Sequence, residues 1–117
     1  MPPARIADLM DAIDTIAQHF GTTIPMLGHA GDGNLHPALL MDLVEGDRNK
    51  LREVKRAIYE EALQLGGTMT AEHGLGKVRP EDLDLFLDEK TIDLMRGIKE
   101  VFDPNCILNP GCVLQAD

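Results

Sequence analysis

The chain has 117 residues, enough for one modest core, and a formal net charge of −9 from 20 acidic and 11 basic residues. That balance argues against nucleic acid, which needs a basic face, and against attraction to anionic lipid. Apolar residues make up 44% of the chain, aromatic residues only 3%, and Trp is absent, so the core must be aliphatic and Met-rich.

Residues Arg5 to Phe20 read as a helix, because Ile6, Leu9, Met10, Ile13, Ile16, Ala17 and Phe20 recur at three- and four-residue steps. Gly21 is its stop. Thr22 to His29 and Leu35 to Asp42 read as two strands of a hairpin, joined at Asp32-Gly33, a dipeptide favoured in tight turns. A two-residue turn there sets His29 opposite His36, Ala30 opposite Leu35 and Gly31 opposite Asn34. The second helix is expected over Arg48 to Leu65 with Asp47 as N-cap, a stripe of Leu51, Val54, Ile58, Ala62 and Leu65, and Gly66-Gly67 as its stop. Thr68-Met69-Thr70 is a short β-like run. Pro80 fits the first turn of a helix, with Glu81 and Asp82 near its positive end. A last helix from about Glu89 to Phe102 should turn Ile92, Met95, Ile98, Val101 and Phe102 inward. A turn-rich tail after Pro104 should dock through Ile107 and Leu108. The order α-β-β-α-β-α-α implies an α+β fold, an antiparallel sheet covered by helices.

No apolar run approaches the ~20 residues a bilayer needs. The N-terminus does not read as a signal peptide. Cys106 and Cys112 form neither a zinc CxxC nor a disulfide framework, consistent with reduced thiols in the cytoplasm.

Three of the four histidines lie in two glycine-rich stretches, Gly28 to Pro37 and Ala71 to Lys77. His29, His36 and Glu72 offer two nitrogens and one oxygen, a set suited to a borderline divalent metal such as zinc. Three protein ligands leave a position open for substrate. His73, beside Glu72 but pointing elsewhere in an extended segment, is a candidate base. The alternative is that these histidines are ordinary hydrogen-bonded residues. Asp32 reads as a turn residue. Two phosphate motifs fail: Ala71 to Lys77 lacks the first Gly and the Ser/Thr of a P-loop, and Gly31/Gly33 lacks the third glycine of a dinucleotide fingerprint.

Three stretches in order resemble the C-terminal part of FAD-linked oxidases of the vanillyl-alcohol oxidase type: Gly28 to Pro37, Gly67 to Gly76, and Phe102 to Gly111. These are enzymes like the glycolate oxidase large subunit and the D-lactate and D-2-hydroxyglutarate dehydrogenases. The resemblance covers nearly the whole chain. It implies one segment, residues 1–117, forming part of a ferredoxin-like cap domain and a helical tail that returns to the flavin. It implies oxidation of a D-2-hydroxy acid to the 2-oxo acid, with hydride passing to FAD. It makes His29, His36 and Glu72 ligands of a zinc-like ion and His73 the general base. Asn34, Arg79 and Asn109 would lie against substrate or flavin; at Arg79 many members have Lys, which keeps the charge but not the geometry. The family's flavin-binding domain has no counterpart in these residues. That implies a fragment, a truncated frame or one piece of a split enzyme, inactive alone, and prone to self-association through its uncovered face. The expected site is the cytoplasm, at most peripheral to the inner membrane in the full enzyme. Without the resemblance, a free-standing metal or small-molecule module and a ferredoxin-like oligomerisation domain fit the same residues.

Overall fold

The computed structural model describes residues 1–39, 48–76, 83 and 85–114. The elements are α1 (Ile6–Phe20), β1 (Met26–His29), β2 (Asn34–Pro37), α2 (Arg48–Gln64) and α3 (Glu89–Phe102). The strands pair antiparallel, so the class is α+β as expected. Two compact units divide the chain, Met1–Met69 and Thr70–Asp117.

The first unit holds a core that the helical periodicity anticipates. Leu9, Ile13 and Ile16 of α1 meet Val54, Ile58 and Ala62 of α2, with Ile24 between the elements. Val54 is 0% exposed. Both helices end by the same device. Thr22 N–H donates to the Ala17 carbonyl and Gly21 N–H to Gln18, with Gly21 at φ 58°. Gly67 N–H donates to Ala62 and Gly66 N–H to Leu63, with Gly66 at φ 77°. These nested bonds are Schellman closures, which satisfy carbonyls that a helix end leaves orphaned.

Met26 and Leu35 of the hairpin pack on this core. Side chains alternate along a strand, so Met26, Gly28, Leu35 and Pro37 share the inward face. Leu27, His29, Asn34 and His36 share the other. The core thus decides which face of the hairpin is turned outward.

Several expectations change. Thr68-Met69-Thr70 forms no strand; Met69 is buried singly, and a three-residue run has too few ladder bonds to extend a two-stranded sheet. In the second unit α3 starts at Asp88, whose carboxylate accepts from Thr91 N–H at 2.7 Å. Ile92 and Met95 are partly covered, but Leu94, Ile98, Val101 and Phe102 are exposed. They line an open groove of about 440 Å³ with Lys90, Asp93 and Gly97. The helix therefore carries apolar residues on two faces, and only one is partly covered. The expected burial of Ile107 and Leu108 is also wrong: they are 73% and 54% exposed. The expected Asp47 cap, the end of the second strand and the helix start at Pro80 lie outside the described residues. No helix among the described residues is long and apolar enough to cross a membrane.

Candidate active site

The hairpin forms around a four-residue loop and not the two-residue turn expected. Ala30–Asp32 make a single 3-10 turn, closed by Gly33 N–H donating to the Ala30 carbonyl at 3.2 Å. Gly33 adopts φ 66°, and a Cβ there would overlap the Met1 carbonyl oxygen. Four-residue loops built on such a turn are a common hairpin solution. Asp32 is exposed within the loop, in keeping with a backbone role.

The consequence is a shift of register. His29 pairs with Asn34 and His36 with Leu27, where the tighter turn would have paired the histidines directly. A slip of one residue would have thrown them onto opposite faces; a slip of two preserves the face. The two histidines are therefore diagonal neighbours, their ring centroids 6.0 Å apart and their planes at 87°. Diagonal neighbours on a sheet face sit within reach of long side chains. Asn34 neighbours both on the same face, opposite His29 and two positions before His36. Gly28 makes this register possible. Its φ is 150°, and a Cβ there would overlap the Asn34 carbonyl oxygen and lie 2.8 Å from Leu35 Cα.

In the second unit, residues 71–73 are turn and not extended chain, with Gly74 N–H donating to the Ala71 carbonyl at 3.2 Å. The expected divergence of Glu72 and His73 does not occur. Glu72 Oε1 and His73 Nε2 are 3.2 Å apart, and both side chains are exposed. In an extended segment they would alternate; the turn lets adjacent side chains meet. A carboxylate has two oxygens, so pairing with an imidazole and ligating an ion are compatible.

Asn109 lies in the tail, exposed, with a left-handed backbone at φ 50° and its carbonyl accepting from Cys112 N–H at 3.2 Å. Cys106 and Val113 also have positive φ, at 51° and 53°. Such conformations cost of order 1–3 kcal/mol each and persist only where neighbours over-determine them. Asp103 supplies much of that determination. It is 4% exposed and its carboxylate accepts from Ile107 N–H at 3.0 Å, from Leu108 N–H at 2.9 Å and from the Lys99 ammonium. The hydrogen bond from Lys99, followed by those from Leu108 and Ile107, holds the Asp103 carboxyl below its usual range. Lys99 Nζ also donates to the Leu108 carbonyl at 2.6 Å. Neither Lys99 nor Asp103 stands out in the sequence reading. The available signal is a Lys one helical turn before an Asp-Pro that ends a helix.

Arg79 lies outside the described residues. Cys106 and Cys112 are free thiols. The loop at Gly31/Gly33 leads into β2 and not into a helix, so it cannot cradle a phosphate as a dinucleotide fingerprint does. The donor set His29, His36 and Glu72 suits a borderline divalent ion in its chemistry, with nitrogen and carboxylate donors.

The described residues form an α+β fold, with two imidazoles on one hairpin face in the first unit and a Glu-His turn in the second. Residues 1–113 match the family described as FAD linked oxidases, C-terminal domain, and the chain belongs to that family. It is similar to glycolate oxidase subunit GlcD of Bacillus subtilis, 40% identical over 118 residues, covering 100% of this chain and 25% of the relative. D-lactate dehydrogenase of Archaeoglobus fulgidus is 38% identical over 115 residues, 98% of this chain and 25% of the relative. D-2-hydroxyglutarate dehydrogenase of Stutzerimonas stutzeri is 35% identical over 118 residues, 97% and 25%. The chain thus spans about a quarter of the length of these curated relatives.

Proposed function

We propose that this chain is the C-terminal, substrate-side segment of a flavoenzyme that oxidises a D-2-hydroxy acid of the glycolate or D-lactate type to the 2-oxo acid. The carrying observation is the family match over residues 1–113, on a chain whose two hairpin histidines share one outward face. His29, His36 and Glu72 are the proposed ligands of a divalent ion of the zinc kind, and His73 the base. When bound, the flavin supplies the hydride acceptor and the ion a Lewis acid for the substrate's hydroxyl and carboxylate.

The chain's own residues have distinct tasks. His29 and His36 present two imidazoles from one hairpin face as diagonal neighbours. Asn34, beside them on the same face, can donate to a substrate oxygen through its amide. His73, whose Nε2 stands 3.2 Å from Glu72 Oε1, is the proposed acceptor of the hydroxyl proton while the hydride leaves the adjacent carbon. Arg79 offers a charge for the substrate carboxylate, and Asn109 a contact to substrate or flavin. FAD is proposed to be held mainly by the flavin-binding domain of the family, since neither glycine-rich stretch carries a phosphate-binding fingerprint. The uncovered apolar face of α3 supports this reading: in the larger enzyme, flavin-binding protein would cover Leu94, Ile98, Val101 and Phe102. The enzyme is proposed to work in the cytoplasm.

Two measurements test the proposal. The isolated chain should bind one zinc ion by calorimetric titration, and His36→Ala should abolish binding; a chain that takes up no divalent ion removes the metal assignment. The flavin-loaded enzyme containing this segment should lose its visible flavin absorbance when glycolate, D-lactate or D-2-hydroxyglutarate is added without oxygen. Persistence of the oxidised spectrum with all three overturns the activity.

A further inference from the structure

The tail that follows α3 is held at both ends. At its start Asp103, buried at the helix terminus, gathers Ile107 N–H, Leu108 N–H and the Lys99 ammonium, and Lys99 reaches on to the Leu108 carbonyl. At its end Val113 N–H donates to the Gly76 carbonyl at 2.8 Å, three residues beyond His73. Between the two ties lies Asn109, held in a left-handed conformation. Few apolar contacts hold this stretch, because Ile107 and Leu108 are mostly exposed. A carboxylate receiving three donors in a site shielded from water is a strong and directional restraint.

We propose that Lys99 and Asp103 are positioning residues for Asn109, setting where its side chain stands relative to the Glu72-His73 turn. The inference rests on the reading that Asn109 contacts substrate or flavin. Lys99 acts as the bridge: it neutralises the buried carboxylate and pins the carbonyl immediately before Asn109. Asp103 fixes the two amides before it. Neither touches the reacting atoms; both act through the backbone of residues 107–109.

The test is a double-mutant cycle in the flavin-loaded enzyme with Asp103→Asn, Lys99→Met and Asn109→Ala, reading kcat and KM for the 2-hydroxy acid it oxidises. Asn keeps the shape of Asp103 but cannot accept from both amides and Lys99 together. Met keeps the apolar stem of Lys99 and serves if Asp103→Asn does not fold. The expected result is a fall of about tenfold or more in kcat for each single variant, with the double variants no worse than Asn109→Ala alone. Multiplicative losses overturn the inference, because Asp103 and Lys99 would then act independently of Asn109. An Asn109→Ala enzyme with full kcat and KM overturns the underlying reading of Asn109 instead. The two failures are therefore distinct.

Discussion

Gly28→Ala is the sharpest test of how the hairpin sets its register. A Cβ at residue 28 would overlap the Asn34 carbonyl oxygen and stand 2.8 Å from Leu35 Cα, both on the partner strand. Neither neighbour is the free end of a side chain, so the strands must part. Alanine must also adopt φ 150°, a conformation that costs of order 1–3 kcal/mol without glycine. Overpacking adds about 1–3 kcal/mol. A two-stranded hairpin is marginal by itself, so the cost should open the hairpin locally and leave the α1–α2 core folded. Helical circular dichroism should be nearly unchanged while amide exchange at Leu27 to Leu35 accelerates. With His29, His36 and Glu72 as the proposed zinc ligands, zinc affinity should fall about 10–100-fold, the usual effect of disturbing the groups that orient ligands. Gly31→Ala is the control, because a Cβ there meets nothing within 4 Å. The reasoning is refuted if Gly28→Ala exchanges and melts like Gly31→Ala.

Ile13→Ala, at a position 2% exposed in the core, should cost about 2–5 kcal/mol and lower Tm by roughly 8 °C or more, whereas Met10→Ala, half exposed on the same helix, should barely move the melting curve. Asp103 has its carboxyl held below the usual range in the folded chain, so it contributes stability that is present above the unfolded pKa and lost as pH falls through the folded pKa. Urea titrations from neutral pH down into the acid range should therefore show a steeper loss for the natural chain than for Asp103→Asn; parallel curves would contradict the clasp. Asp88→Ala removes the side-chain cap on Thr91 N–H and should speed amide exchange in the first turn of α3, leaving α1 unaffected.

Much of the fold was legible in the residues. The periodic stripes of α1 and α2 mark their buried faces because a helix repeats its face every 3.6 residues whatever it packs on. Gly21 and Gly66-Gly67 mark the helix ends because only a left-handed residue closes them cheaply. That His29 and His36 share a face also follows from the sequence, since the two-residue slip between the expected and observed hairpins leaves their parity intact. A two-residue turn would set Asn34 opposite Gly31, whereas it pairs with His29. It lies beside the histidines because the loop takes four residues.

What the linear pattern left open depends on contacts between distant residues. The loop length is decided where Gly33 meets the Met1 backbone and where Gly28 lies against Leu35, and no local preference distinguishes it from a tighter Asp-Gly turn. The two apolar faces of α3 are equally periodic, and only the tertiary arrangement shows which is covered. The tail's order comes from a buried carboxylate collecting amides four and five residues ahead, a bond pattern that apolar content does not reveal. The helices, their ends, the shared face of the two histidines and the family can be read from the residues alone, because they follow from local periodicity, backbone preference and motif order. The register, the pairing of Glu72 with His73, the exposed face of α3 and the hold of Asp103 on the tail emerge only in the folded chain. Each of these depends on which groups meet in space once the chain has folded.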